Sequence, residues 1–270
     1  MIKELTFNFN YFCFFLTGIL LIICTSLVFA KEPKMDTNVP IGWCVVPTSV
    51  GQPPQDGKHL VTVTGGNDGR VVRASSRSDF GYLCTSSEAL VILAEGSFGT
   101  TEVSSNKTIV GKTHLGSGDG SSGRFRVGKS SNIIIRNFKI SGGADGIEIA
   151  RGHHVWIDHC DFNTSSDGQI DMTYGADKVT VTWCKFSNHN KVMLIQNGKP
   201  NLSEDKGRFS VTLSHLFFNG TAQRHPRFGY GKLHVLNSYY KNLKRYGIHI
   251  FWGAQATIEG SNFENTADAV

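Results

Sequence analysis

The sequence is short of several things, and each shortage excludes something. Only 18% of its 270 residues are charged while 40% are hydrophobic, which rules out wholesale disorder and calls for a globular body with a large core. No segment shows sustained helical periodicity, which argues against a bundle. Thirty glycines lack any three-residue period, which removes collagen, and only seven prolines interrupt the chain. There is no run of Lys and Arg. Basic residues exceed acidic ones by 27 − 22 = 5, a modest positive field that favours an anionic partner without naming it. Nucleic acid is one candidate, but the basic residues sit singly, so ordinary surface charge is the plainer reading and no nucleic-acid partner is expected.

What is present begins with a separate object. Residues 1–30 carry only Lys3 and Glu4 as charges, then an apolar stretch ending in small or aliphatic residues at Val28 and Ala30. This is the layout of a signal peptide cleaved before Lys31, with an uncleaved membrane anchor as the lesser alternative. The expectation is a secreted, extracellular protein with no membrane contact after cleavage. Export would place Cys44, Cys84, Cys160 and Cys184 in an oxidising compartment, where they can form two bridges. Sequons at Asn106, Asn163, Asn201 and Asn219 are compatible with that route. Residues 31–58, rich in Pro, Gly and polar side chains, read as a tail or cap, and 59–270 as the main domain.

The second half hides a repeat. Alternating apolar segments close on a bulky residue at Ile140, Phe162, Phe186, Phe218, Tyr240 and Phe263, at intervals of 22, 24, 32, 22 and 23. Strands so spaced are too far apart for tight hairpins and suit a parallel solenoid, in which like positions stack ~4.8 Å apart. An antiparallel sandwich is the alternative. The long interval contains Gln196 to Gly207, a loop thrown out of one coil. Upstream, Val61 to Gly66, Ala89 to Gly96 and Ser105 to Gly111 read as further strands. Cys160 and Cys184 occupy the same place in adjacent repeats, within the Cα separation a disulfide accepts, so a bridge is expected there and Cys44 to Cys84 follows by elimination.

Counting onward from each marker gives a column at one corner. Five residues after Ile140, Phe162 and Phe186 stand Asp145, Asp167 and Lys191, and six after Phe218 stands Arg224, with Asp171 close by. Converging carboxylates repel unless a cation lies between them, and hard oxygen ligands suit Ca²⁺ better than zinc. An acidic polysaccharide could bridge to the metal and meet the two cations. Solenoid corners are solvent-facing and often charged, so spacing alone favours an ordinary charged edge.

The segments VWIDH at Val155 to His159, DGQID at Asp167 to Asp171, HNKVMLI at His189 to Ile195 and QRHPR at Gln223 to Arg227, in that order, resemble the pectate lyases. SNKTIVG and NIIIRN match earlier family segments, so the similarity runs from about Val61 to Phe263. The resemblance implies an all-β fold, a right-handed single-stranded parallel β-helix. It also implies calcium-dependent β-elimination on polygalacturonate. By the same match Asp145, Asp167 and Asp171 are the calcium ligands, Lys191 and Arg227 bind substrate, and Arg224 removes the C5 proton, with Lys191 assisting catalysis. A monomer is expected.

The chain departs from the family pattern in three places. Gly229 stands where the family has a further substrate-gripping Arg, and Arg245, five residues after Tyr240, is the expected replacement. A family column of stacked Asn falls here on Cys160, Cys184, Leu216, Ser238 and Ser261, so no amide ladder can form. The chain stops at Val270 just after a strand, where the family continues, which suggests truncation. Two rival functions stand beside the lyase: an inactive polysaccharide-binding or allergen-like module, and a glycoside hydrolase, which needs two carboxylates across the scissile bond. A pectin lyase on methylated substrate is disfavoured because it leaves the aspartates without a purpose. His153, His154, His159 and His189 read as structural rather than as metal ligands, and Trp156 as buried packing.

Overall fold

In a computed structural model, which describes residues 39–112, 121–197 and 203–270, the strands alternate apolar residues that point inward with polar ones that point out. Among the described residues all pairings are parallel, and a nine-stranded sheet runs from Arg70–Ala74 through His153–Asp158 to Gln255–Glu259. A thirteen-stranded sheet completes the coils. It comprises a run of short strands, Lys139–Ile140 to Asn262–Glu264, and a second run, Ser97–Glu102 to His249–Phe251, joined where Ser122 pairs with Lys139. The described residues therefore form a β-solenoid of about 8 turns, the expected parallel β-helix.

The repeat read from the sequence is one physical column. Ile140, Phe162, Phe186, Phe218, Tyr240 and Phe263 are in-register neighbours on successive coils. From Phe162 onward their rings stack inside the coil with centroids 4.4–4.9 Å apart, near the strand spacing that the backbone imposes. The corner before each short strand is turned by one left-handed residue: Asn137, His159, Trp183, His215, Asn237 and Gly260 all have φ between 48° and 62°. Such a φ disfavours most side chains. Outside, His159, Trp183 and His215 stack on one another, which offsets part of that cost.

Inside the same corner, the non-amide column makes its own ladder. The Cys160 N–H donates to Cys184 Sγ (3.3 Å), that of Leu216 to Ser238 Oγ (3.2 Å) and that of Ser238 to Ser261 Oγ (3.1 Å). The side chains of Cys184, Ser238 and Ser261 donate in turn to the carbonyls two residues back. Both expected disulfides are absent: Cys44, Cys84, Cys160 and Cys184 are all free and buried. Side chains aligned on parallel strands project side by side, so the Cys160 and Cys184 Cβ atoms inherit the ~4.8 Å strand spacing, wider than a bridge holds. Burial then keeps the Cys184 thiol protonated, far above its ordinary range. Cys44 and Cys84 lie in different apolar clusters. The first packs with Val63, Ile134 and Trp156, the second in the interior of the coil.

Two upstream expectations also change. Val61 to Gly66 is not a strand; its backbone is taken up by Asn132, whose Oδ1 accepts from Thr64 N (2.6 Å) and Gly65 N (2.7 Å). A helix, Arg77–Thr85, was not foreseen. Only Phe80 and Cys84 on it are buried, one i,i+4 pair, too little for a periodic signal. Its local cue is Ser76, whose hydroxyl caps Asp79 N. Phe80 stacks on Phe98, centroids 4.0 Å apart, and so joins the core at the N-terminal end of the coil.

Ahead of the helix, the segment around Trp43 lies on the outer face of the nine-stranded sheet, where Trp43 N and Cys44 N donate to Thr212 and Thr180 hydroxyls. The expected signal peptide and the sequon at Asn201 lie outside the described residues. Where the Gln196 to Gly207 loop is described, buried Asp205 fastens it by accepting from Gly175 N (2.9 Å) and Asn197 N (2.7 Å).

Candidate active site

The second run of the thirteen-stranded sheet presents the candidate residues on its outer face and at its entering corner. Asp145 precedes Ile147–Ala150, and Asp167 occupies the same turn one coil on, its N–H donating to Ala144 O (3.0 Å). Gly168 then adds one residue to that turn. Phe162 pairs with Phe186, yet Gly168, six residues later, pairs with Lys191, only five later. The five-residue count thus holds for Asp145 and Asp167, while Lys191 faces Gly168 rather than Asp167.

That extra glycine is where the carboxylates meet. A Cβ at Gly168 would lie 2.7 Å from Asp171 Oδ1 and 2.8 Å from Asp145 Oδ1, so the two oxygens face a common point that any larger residue would fill. Gly168 N donates to Asp145 Oδ1 (2.8 Å). Asp171 Oδ1 is buried without any partner. Burial, reinforced by the charge of Asp145, pushes the Asp171 carboxyl up to about 7. Burial also raises Asp145, with Asp167 adding to it. An orphaned buried oxygen, a second carboxylate on the same point and mutual repulsion are the features a hard divalent cation relieves.

Asp167 behaves differently. Lys191 Nζ donates to its Oδ1 at 2.7 Å, a bond that, more than any other influence, holds Asp167 below the usual carboxylate range. His189 Nε2 contacts the Asp167 carbonyl (2.7 Å). The structure thus brings Asp145 and Asp171 together and leaves Asp167 at the rim with Lys191. Among the described residues no group of three acidic, His or Cys side chains is already arranged around one point.

The cations follow. Arg224 lies in the turn before Arg227–Gly229 at φ +67°, its carbonyl accepting from Met193 N (2.8 Å). Its charge acts on both Asp171 and Asp167, and its Nε is buried without a partner. Arg227 pairs in register with Leu194, itself the neighbour of Asp171, and its guanidinium lies 5.1 Å from the Phe251 ring centroid. Gly229 is buried, and the rings of Phe251 and Trp252 occupy the space beside it. Arg245 is exposed one coil further on, its N–H donating to Ala222 O (3.0 Å). With Asp167, His189, Lys191 and Lys244 it lines an open cleft of about 760 Å³. Gly168 and Lys244 were not singled out from the sequence. The first was visible inside DGQID, the second only as the neighbour of Arg245.

A parallel β-helix that sets an acidic pair beside Lys and Arg has the layout of a polysaccharide lyase. The pectate lyase family model matches residues 62–270. The chain is 34% identical over 222 residues to pectate lyase B of Colletotrichum gloeosporioides, covering 77% of this chain and 66% of that protein. It is 28% identical over 245 residues to a pectate trisaccharide-lyase of Thermotoga maritima, covering 85% and 65%. A Bacillus pectate lyase solved in complex with trigalacturonate superposes with a TM-score of 0.69 at 25% identity, over 82% of this chain and 74% of that one. The chain belongs to the pectate lyase family. It spans about two-thirds of the length of the curated relatives it matches.

Proposed function

We propose that the chain is a secreted, calcium-dependent pectate lyase that cleaves de-esterified pectin by β-elimination and releases 4,5-unsaturated oligogalacturonides. In this reading residues 1–30 are the secretion signal and the mature protein works as a monomer. The observation that carries the proposal is the Asp145–Asp171 pair, with its unpartnered Asp171 oxygen, beside Lys191 and Arg224. The donor set fits Ca²⁺, which Asp145 and Asp171 would hold, with Asp167 joining on release from Lys191. Bound there, the ion would supply Lewis-acid stabilisation for a uronate carboxylate.

The chain's own groups account for the rest. The C5 proton of galacturonate lies next to a carboxylate whose charge opposes carbanion formation, and Lys191 would neutralise that charge. Arg224 would accept the C5 proton, and the C4 oxygen then leaves with the glycosidic bond electrons. A protonated guanidinium has no lone pair to offer, so Arg224 would act as acceptor only in its neutral form. Arg227 and Arg245 would grip neighbouring carboxylates in place of the residue that Gly229 lacks. Hydrolysis is a poorer fit, because it needs carboxylates on either side of a bond, whereas Asp145 and Asp171 face one point at Gly168.

The test is incubation of the mature chain with polygalacturonate, with and without chelator, following the absorbance of the unsaturated product. Calcium-dependent absorbance is expected. New reducing ends without absorbance would indicate a hydrolase, and binding with neither would indicate an inactive module.

A further inference from the structure

His225, next to Arg224, has no role in the reading above, yet it is fully buried, and its backbone N–H and both ring nitrogens are engaged. Its N–H donates to Gly247 O (2.9 Å), and its Nδ1 lies 2.9 Å from Tyr246 O. Its Nε2 lies 2.7 Å from Thr221 Oγ1. A carbonyl can only accept, so Nδ1 carries the proton; Nε2 is then bare and accepts the Thr221 hydroxyl. Burial favours the neutral ring and pushes its pKa down to about 4. Phe218 and Tyr240 meet the imidazole edge-on, at centroid distances of 5.2 and 6.4 Å.

Arg224 sits between those two anchors with φ +67°, a left-handed conformation that persists only where the surroundings hold it. Thr221 and His225 close the turn that carries Arg224, and the bonds to residues 246 and 247 fasten it to the next coil. We propose that His225 is a positioning residue for the lyase reaction: in its Nδ1–H tautomer it pins the Thr221–His225 turn to the Tyr246–Gly247 backbone and so aims Arg224 at the substrate. The inference rests on the lyase reading, and its test separates the two.

His225→Leu removes both side-chain bonds. A small misplacement of a reacting group costs about 10²-fold in rate, so kcat should fall by about that much with KM little changed. His225→Asn keeps a donor for Tyr246 O and should recover about a tenfold share of the loss. Should the Leu variant fail to fold, Thr221→Val removes only the hydroxyl and should lower kcat by a smaller factor. Imidazole ¹⁵N spectra of the wild-type protein read the pin without activity: the proton should stay on Nδ1 from pH 5 to 8.

Unchanged kcat in His225→Leu, or Leu and Asn variants losing rate alike in step with melting temperature, would overturn the proposal. So would a ring that titrates in that range or carries its proton on Nε2. A wild-type chain that forms no unsaturated product but shows the fixed tautomer would sink the lyase reading and leave the pin standing.

Discussion

Two carboxylates with basic neighbours lie on different faces of the coil, and their surroundings are opposite. Asp158, on the nine-stranded sheet, is fully buried. It takes Arg136 Nη2 (2.7 Å), His159 Nδ1 (2.7 Å) and the Thr182 hydroxyl (2.6 Å), and Thr182 in turn accepts the Trp156 indole N–H (2.7 Å). Asp171, on the other sheet, has a buried oxygen with no partner, and burial raises its carboxyl to about 7. A buried charge whose bonds are all made is part of the architecture, whereas one left short is held for something that arrives. The Asp158 carboxylate is thus committed to three protein groups. His153 and His154 are committed likewise, to Asp56 and to Val46 O.

The comparison breaks most sharply at Arg224. Arg224→Ala should cut formation of the unsaturated product by about 10²–10⁴-fold, the usual worth of a positioned proton acceptor, while the thermal transition barely moves. An equal loss of stability would mean that the groove side is architecture too.

Next come the two carboxylates themselves. Asp158→Asn leaves the Arg136 charge without its carboxylate and should destabilise the fold by about 3 kcal/mol. Asp171→Asn should do the reverse in chelator. Asp171 has a folded pKa of about 7 against an ordinary 3.8, so between those values the folded chain retains a proton that the unfolded chain has released. Stability therefore falls as pH rises through that window, and removing the carboxyl abolishes the fall. Above pH 7 the metal-free Asn variant should melt at least ~2–4 °C higher than the wild-type chain, and below pH 4 the two should converge. In calcium the order should invert, because only the wild type gains from the ion. Melting curves at pH 3.5 and 8, with and without calcium, decide each point.

The interior was easier to read from sequence than the rim. A residue that points into a solenoid must match its neighbours above and below, so Phe162, Phe186, Phe218, Tyr240 and Phe263 could be found by counting, and their stack follows. Corner residues need match only the turn. The count therefore located Asp145 and Asp167 but slipped at Gly168, where one added residue moves Lys191 out of line with Asp167. The roles proposed for Arg224 and Arg227 rest on resemblance, because no periodicity distinguishes a guanidinium that meets a substrate from one that is merely exposed. The helix Arg77–Thr85 escaped because its buried face is a single pair, and the disulfides failed because Cα spacing says nothing of where parallel Cβ atoms point.

A smaller effect belongs to the rim cations. Arg245 is exposed and lines the cleft with Lys191, so its contact with a uronate carboxylate is screened by water and worth ~1 kcal/mol or less. Arg245→Ala should raise KM for polygalacturonate a few-fold with kcat nearly unchanged. An unaltered KM would leave the place of the residue missing at Gly229 unfilled.

The smallest effect probes the satisfied side of the comparison. Cys184 Sγ accepts the Cys160 N–H and donates to Thr182 O, the same two bonds that Ser238 and Ser261 make with their oxygens on later coils. Cys184→Ser should therefore keep both bonds and change stability by less than ~0.5 kcal/mol. Cys184→Ala strands a buried N–H and should cost ~1–3 kcal/mol. Reductant should leave the melting temperature of the wild-type chain unchanged, because the thiols act here as rungs of a hydrogen-bonded ladder. A large reductant-induced drop, or Ser behaving like Ala, would mean that a covalent bridge and not the ladder holds this corner.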